Sequence, residues 1–379
     1  MNNNIALLDI LRDINLDKIS KKEITFFHKK KILITGVSGL IGINLLFFLH
    51  KISEKEKVSI QIDGIFNTSL FKFVKIFFKD NKNISFKKID LTKKIINAKK
   101  KYDLIFHCAG YGQPAKFLKF KTSTYKLNSF SIMNLKDNLK KKGKFIYMSS
   151  TEIYSGNENL CIEKSIGRTT TSHPRSSYIE SKKFGESYIL NCIDNFLIFR
   201  VCLTYGPGVK FNDERILNIL LLRAIKEKRI NIYGGLNQLR SNLYISDAIN
   251  MIIKSTVRFN KEIFNINNHN MTTINKMAQF ISKISNKKIK NHKSFLRGSP
   301  NVIKISNKKI LKSIKYKIST SLNDGIMKTY KWYLNLVNHW SNDLINFLYH
   351  FWFFDRAKYF FLHFFYTCKI YFHQDTVFL

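Results

Sequence analysis

Apolar residues along this chain follow two alternating rhythms. Runs such as KILITG (31–36), VSIQIDGIF (58–66), ISFKKIDL (84–91), DLIFHCAG (103–110), KFIYMSS (144–150) and FLIFRVCLTYG (196–206) are dense in β-branched and aromatic residues, which predicts six strands, most of them buried. Between them, IGINLLFFLHKI (41–52), TYKLNSFSIMNLKDNLKKKG (124–143) and SYIESKKFGESYILNCI (177–193) carry helical spacing. Strand followed by helix, repeated in this way, predicts an α/β fold: a doubly wound parallel sheet with helices on both faces.

After Gly208 the rhythm loosens. Helices are expected over 214–227, 244–257 and 273–284, with strands at 229–235 and 262–268. The chain therefore divides into an N-terminal extension (1–29, a short helix and a lysine-rich linker) and a Rossmann-like domain (30–205). Parts of 240–267 complete the sheet, and 206–336 form mainly a smaller substrate-binding domain. Residues 337–379 make an aromatic-rich tail. It contains NFLYHFWFFDRAKYFFLHFFYTCKIYF, whose Asp355, Arg356 and Lys358 speak against a spanning helix. Two roles stay open for it: an interfacial helix pair making peripheral membrane contact, and packing onto the domain or a partner subunit. No internal repeat is visible.

Composition changes this picture little. The 379 residues suffice for a sizeable core, and 45% hydrophobic content fits a globular protein. A formal net charge of +38 suggests nucleic acid or an anionic membrane at first. Lysine is spread over the whole chain together with Asn, Ile and Phe, and A/T-rich codons account for all four, so no nucleic-acid partner is expected. What remains is a basic field that attracts anions such as nucleotides. The five cysteines, Cys108, Cys161, Cys192, Cys202 and Cys368, form no C-x-x-C pair, which points to a reducing compartment. Asp9, Arg12 and Asp13 stand where a signal peptide needs an apolar core, so a cytoplasmic location is expected. No metal site is expected.

Two motifs carry chemistry. ITGVSGLIG places Gly36, Gly39 and Gly42 directly after a strand and at the start of a helix, with Ser38, Leu40 and Ile41 between and beside them. The glycines permit a tight turn and close backbone approach to a pyrophosphate at the helix N-terminus. In PRSSYIESKKFGE, Tyr178 and Lys182 stand four apart on one helix face. An ammonium beside a phenol stabilises the phenolate and lowers the tyrosine toward working pH. SSTEIY (149–154) follows the strand KFIYM and sets Glu152 close behind buried residues, where a carboxylate needs a partner or a ligand.

These motifs resemble the extended short-chain dehydrogenase/reductases, the NAD-dependent epimerase/dehydratase family. In that resemblance Asp90 and Leu91 lie by the adenine. HCAG, with Cys108, Ala109 and Gly110, lines the cofactor, and Asn128 matches an Asn of the following helix. The acidic residue that holds the adenosine ribose is missing from its usual place. Asp63 comes too early, Asn67 is better placed, and no arginine follows for a 2′-phosphate, so the cofactor is expected to be NAD rather than NADP. Ser150 takes the place of the family's Ser or Thr partner to Tyr178, with Ser149 and Thr151 as neighbouring alternatives. FRVCLTYGPG resembles the segment passing the nicotinamide, with Tyr205 as a cofactor contact and Thr204 replacing the usual Asn.

Within the family, Thr151-Glu152 resembles the pattern of UDP-glucuronate decarboxylases. The 4,6-dehydratases carry adjacent Asp and Glu there, and simple 4-epimerases have no carboxylate. NDERILN (212–218) resembles the decarboxylase segment N-D-G-R-V-x-x-N, with Glu214 in place of its glycine, which implies Arg215 and Asn218 as substrate contacts. NQLRSNLYISDA resembles Q-T-R-x-F-x-Y-V-x-D and places Arg240 on the arginine that approaches the sugar carboxylate and diphosphate. GYGQPAKF (110–117) departs from the better-known decarboxylases, so the substrate can differ. The resemblance covers roughly 30–335 and implies a nucleotide-sugar substrate, UDP-linked, and a homodimer through helices within 122–140 and 177–193. The expected reaction is decarboxylation of UDP-glucuronate through a 4-keto intermediate, with Ser150, Thr151, Glu152, Tyr178, Lys182 and Arg240 as the catalytic set. Alternatives are a 4,6-dehydratase or 4-epimerase and, from another class, an NAD(P)-sensing scaffold.

Overall fold

Seven parallel strands form the centre of the computed structural model, which describes residues 4–292 and 303–337. In chain order the first six are β1 Lys30–Thr35, β2 Ile60–Phe66, β3 Ile84–Lys88, β4 Tyr102–His107, β5 Leu139–Ser150 and β6 Phe196–Val201. Then come four short strands, β7 Leu203–Tyr205, β8 Ile230–Tyr233, β9 Leu239–Arg240 and β10 Asn242–Tyr244. The chain re-enters the main sheet with β11 Glu262–Ile266 and ends its strands with β12 Thr272–Thr273 and β13 Ile289–His292. The main sheet runs β11-β6-β5-β4-β1-β2-β3, a doubly wound order that reverses direction between β1 and β4. Chain as far as Leu334 belongs to one compact unit.

The strand runs are apolar because both faces are covered. Leu33, Ile105, Phe145, Tyr147 and Ile198 meet Ile132, Leu135 and Ile189 from the helices on one side. Outside the main sheet β7 pairs with β10, β8 with β13 and β9 with β12, so the lobe after Gly206 is held by small pairings rather than by one sheet.

Two expectations change. The apolar run 196–206 is not one strand: β6 ends at Val201, and Cys202 N–H donates to Ile266 O at 2.9 Å before β7 turns to its own partner. The predicted helix over 124–143 is also shorter. Helices occupy Lys121–Asn128 and Phe130–Lys136, and LKKKG already belongs to β5. Three consecutive lysines and a glycine offer a helix no apolar face, whereas an extended segment pairs with Tyr102 and leaves the ammonium groups in water.

The N-terminal extension is not a linker. Helix Asn4–Asp13, a 3-10 turn Leu16–Lys18 and helix Lys21–Thr25 bury Leu7, Ile10, Ile14, Leu16, Ile19, Ile24 and Phe27. Ser20 caps the last helix with Glu23 in a reciprocal capping box, Ser20 N–H donating to Glu23 Oε2 at 2.8 Å. The Glu23 side chain, 3% exposed, also binds Arg258 Nε at 2.8 Å and Lys254 Nζ at 3.5 Å on helix Ile245–Arg258. Lys51 ties the same segment down through Leu11 O and Ile14 O. The expected tail from residue 338 onward lies outside the described residues. Among the described residues no helix is long and apolar enough to cross a membrane.

Glu23→Ala removes a buried anion and leaves two cations facing each other. Unfolding in urea should show a loss of roughly 2–3 kcal/mol, below the fully buried case because Arg258 is partly exposed. An unchanged midpoint would show that the extension is not held by this charge.

Candidate active site

The glycine turn is built as its spacing implies. Gly36 has φ +66°, and a Cβ there would come within 2.7 Å of Ala109 Cα, so only glycine lets β1 and the end of β4 meet. A Cβ on Gly42 would collide with Gly36 O, which keeps helix Leu40–Glu56 tight against the turn. The first bond of that helix runs from Ile43 N–H to Gly39 O, so the amides of Leu40, Ile41 and Gly42 come before any intrahelical acceptor. Ser38 lies within the turn and is buried. Asn44 Nδ2 donates to Pro207 O at 2.9 Å and fixes the 206–208 loop over this helix. The site thus offers a bare, glycine-lined cradle with unsatisfied amides, which suits a pyrophosphate.

Along the strand ends, His107 is held neutral inside the fold. Burial pushes its imidazole down to about 3, Lys182 adding to the effect, and Nδ1 meets Thr35 Oγ1 at 2.8 Å. Cys108 N–H bonds Thr35 O and Ala109 N–H bonds Thr35 Oγ1, so backbone rather than thiol chemistry lines this wall. Asp90 is committed to a local turn, its Oδ1 accepting from Thr92 N–H and Oγ1–H, while Leu91 is buried behind it. Asp63 points elsewhere: Tyr102 OH, Lys100 Nζ and Ser85 Oγ all reach its carboxylate. Asn67 is exposed just beyond β2.

The acid–base set converges at the end of β5. Ser149 and Ser150 point to opposite faces. Ser149 Oγ donates to Glu186 Oε1 at 2.5 Å, whereas the Ser150 hydroxyl is close enough to Tyr178 to pull its phenol down and accepts from Glu152 N–H at 3.2 Å. This separates the two serines: Ser150 faces Tyr178, and Ser149 belongs to an ion pair behind it. Thr151 is buried in the 3-10 turn Thr151–Tyr154. Lys182 Nζ donates to Met148 O at 2.8 Å, and a Cβ on Gly110 would lie 3.6 Å from that nitrogen. Asn128 Nδ2 donates to Ser181 Oγ at 3.0 Å, with its Oδ1 buried and unpartnered.

The electrostatics overturn one expectation. Tyr178 is not drawn toward working pH. Burial first, and then the Glu152 carboxylate, pushes its phenol up to about 12. Lys182 cannot offset this, because burial brings its own ammonium down to about 7 against the opposing pull of Glu186 and Cys108. Glu152 is raised by burial and lowered by Arg175, His173 and Arg240. Its Oε1 accepts from Arg175 Nη1 at 2.6 Å, while Oε2 is buried without a partner.

Three residues that sequence reasoning passed over complete the site. Glu186 binds Arg200 through Nε and Nη2, the latter at 2.6 Å, and so locks helix Ser176–Cys192 to β6. Its position four residues after Lys182 on the same face was the available signal. Phe117 stacks on Tyr178 with ring centres 4.5 Å apart, and Arg175 lies 5.4 Å above Phe117. Phe117 gave no signal, since it sits in a short helix, Pro114–Lys119, in a segment read only as divergent.

The implied substrate residues are placed less uniformly. Arg240 bonds Leu239 O and Gln238 Oε1, and its charge is felt at Glu152. Arg215 is gripped by Asp213, Nη2 to Oδ2 at 2.6 Å, and bonds Thr204 O, the residue standing where an Asn was expected. Asn218 Nδ2 donates to the same Asp213. Tyr205 turns its side chain away from the cradle: it packs edge-on to Tyr244 and its hydroxyl reaches Leu322 O, which leaves only its backbone for a cofactor. Among the described residues no group of three or more His, Cys, Asp or Glu is arranged to hold a metal.

Comparison with known proteins gives a consistent picture. The model of the NAD dependent epimerase/dehydratase family matches residues 32–267. UDP-glucuronic acid decarboxylase 1 of Danio rerio is 23% identical over 348 residues, 86% of this chain and 81% of that one. The dTDP-D-glucose 4,6-dehydratase of Dictyostelium discoideum is 26% identical over 385 residues, 83% of each. The solved UDP-glucuronic acid 4-epimerase of Bacillus cereus, in complex with UDP-glucuronic acid and NAD, shares the fold. Its TM-score is 0.69 and its identity 22%, covering 81% of this chain and 99% of that one.

Lys182 generates a prediction that needs no substrate. Its folded value, about 7, lies below its ordinary 10.5, so the unfolded chain binds more protons between those limits. This group therefore makes the fold more stable as pH rises through that window, by up to about 1.4 kcal/mol per unit. Lys182→Met should lose that slope and be the more stable protein at pH 7 by roughly 4 kcal/mol, less the contribution of the lost hydrogen bond to Met148 O. Urea unfolding of both proteins at pH 7 and 9 checks this. Parallel behaviour would mean that the ammonium is not desolvated.

Proposed function

The chain belongs to the NAD dependent epimerase/dehydratase family, and from that premise we propose that it decarboxylates a UDP-linked uronate, UDP-glucuronate first among them. The observation that carries this reading is Glu152. It stands two residues after Ser150 and near enough to Tyr178 for its charge to act there, with Thr151 rather than an acid beside it, one oxygen held by Arg175 and the other free and buried. A dehydratase needs an acid and a base at this end of the sugar, and here a single carboxylate faces cations. The recurrence of UDP-glucuronic acid decarboxylases among the matching proteins supports the same choice.

The cradle from Gly36 to Gly42 suits the pyrophosphate of NAD, and the wall of Cys108, Ala109 and Gly110 leads toward Lys182. NAD, when bound, supplies a hydride acceptor for the sugar C4 and returns the hydride at the end, so no cofactor is consumed. Tyr178 takes the proton of the C4 hydroxyl, and Ser150 holds that hydroxyl and the phenol together. A ketone at C4 lies β to the C6 carboxylate, so the C5–C6 bond breaks, CO2 departs, and the bonding pair stays behind, delocalised into the carbonyl; a proton delivered with the help of Glu152 or Arg240 then adds at C5. Glu152 and Arg240 orient that end of the sugar. Arg215 and Asn218, fixed by Asp213, lie on the lobe where the nucleotide would bind.

A second reading, a 4,6-dehydratase, is favoured by the Dictyostelium match, which spans 83% of both chains. We also propose a homodimer through the exposed apolar face of helices Lys121–Asn128, Phe130–Lys136 and Ser176–Cys192. Tyr125, Met133, Phe184 and Leu190 are each 42–47% exposed there.

Incubation of the purified protein with UDP-glucuronate should release CO2 and give UDP-xylose. Glu152→Gln should lower that turnover at least about a hundredfold while leaving NAD affinity within about twofold. A 4-keto-6-deoxy product from a dTDP-hexose, with none from UDP-glucuronate, would establish the second reading instead. The double variant Phe184→Glu, Leu190→Glu should elute from size exclusion at half the mass of the parent. Equal masses would discard the proposed interface.

A further inference from the structure

The ion-pair partner of Glu152 stands within PRSSYIESKKFGE, beside the Tyr178–Lys182 pair but assigned no role with it. Arg175 immediately precedes helix Ser176–Cys192 and so sits three residues before Tyr178. Its side chain is 11% exposed, donates to Glu152 Oε1 at 2.6 Å, and lies over the ring of Phe117, on which the Tyr178 ring also stacks. One side chain therefore touches the turn that carries Glu152 and the aromatic ring that stacks on Tyr178. We propose that Arg175 is a positioning residue: it clamps Oε1 so that Glu152 stays a carboxylate, with Oε2 as the acceptor presented to the sugar.

The geometry supports an acceptor rather than an acid. A carboxyl group this enclosed becomes protonated unless a cation holds it. The charged and titratable groups facing Glu152 are Arg175 and His173 from its own side of the helix entry, Arg240 from β9, and Tyr178 from the helix. Arg175 forms the ion pair with it, at 2.6 Å. Oε2 is buried and has no partner within the protein, so its lone pairs are available to a ligand hydroxyl or water. A flat guanidinium pressed on Phe117 has little freedom to swing, which fixes the direction of Oε2 as well as its charge. Lysine would keep the charge but not the stacking.

This inference rests on the proposed reading of the site only for the word sugar, and its test separates the two. The first arm uses NAD-loaded protein without substrate. The Glu152 carboxyl is followed by infrared or carbon-13 NMR titration and assigned by its disappearance in Glu152→Gln. Arg175→Met should raise its titration midpoint by at least about one unit, and Arg175→Lys should restore most of that shift. A midpoint unmoved in Arg175→Met overturns the proposal, whatever the substrate is. The second arm uses UDP-glucuronate. Arg175→Met should lose about a hundredfold in kcat with KM changed little, its acidic limb moving upward with the Glu152 midpoint. Combined with Glu152→Gln it should be no slower than Glu152→Gln alone. Losses that multiply, or a loss confined to KM, would make Arg175 a substrate contact and not a positioner. A wild type that releases no CO2 but shows the first-arm shift would retire the decarboxylase reading and leave Arg175 in place. Circular dichroism and urea midpoints of each variant identify any loss caused by misfolding.

Discussion

The site depends on how closely helix Ser176–Cys192 lies on β5. A Cβ on Gly185 would fall 2.7 Å from Tyr147 OH and 2.8 Å from Asn128 O, so the helix can approach the sheet only because that residue has no side chain. From this contact the rest follows. Lys182 reaches the carbonyl of Met148, Glu186 reaches Ser149 and Arg200, and Tyr178 is set against Ser150. The Glu186–Arg200 pair is buried, and removing either partner would strand a charge. It acts as a register pin, because only one position of the helix satisfies both ends.

That contact also explains what the sequence made legible. Tyr178 and Lys182 were readable because a helix repeats its face every four residues, and the same rule extends to Glu186. The glycine cradle was readable because its constraint is local: positive φ at Gly36 and crowding within six residues. The strand order was readable from alternation, since parallel strands need covering helices. Arg175, Phe117 and the partition between Ser149 and Ser150 were not readable in this way. Each depends on contacts between segments that are distant in sequence, such as the 61 positions separating Phe117 from Tyr178, and no local pattern encodes them. The misread segment LKKKG follows the same logic from the other side. Local lysine content resembled a helix end, and pairing with β4 decided otherwise.

The N-terminal extension shows how composition can conceal structure. Its lysines made it look like a linker, yet its apolar residues at Leu7, Ile10, Ile14 and Phe27 are buried. The Ser20-x-x-Glu23 box was a helix-start signal in plain sight. Glu23 serves at once as capping residue and as counter-ion to a distant helix. Asp63, Asp213 and Asp247 are likewise held by several donors each, most of them hydroxyls and amides rather than cations.

Burial bears on the chemistry as well. With Tyr178 pushed up to about 12 and Lys182 down to about 7, the resting pocket disfavours both the phenolate and the ammonium. Glu152 is the reason on the tyrosine side once burial is counted, because two anions a few ångströms apart oppose each other. The fold places Glu152 against Arg175 and, by burying Tyr178 beside that carboxylate, holds its phenol above its ordinary value. The glycine cradle and this set meet along one wall, where Gly110 leaves room beside Lys182 Nζ.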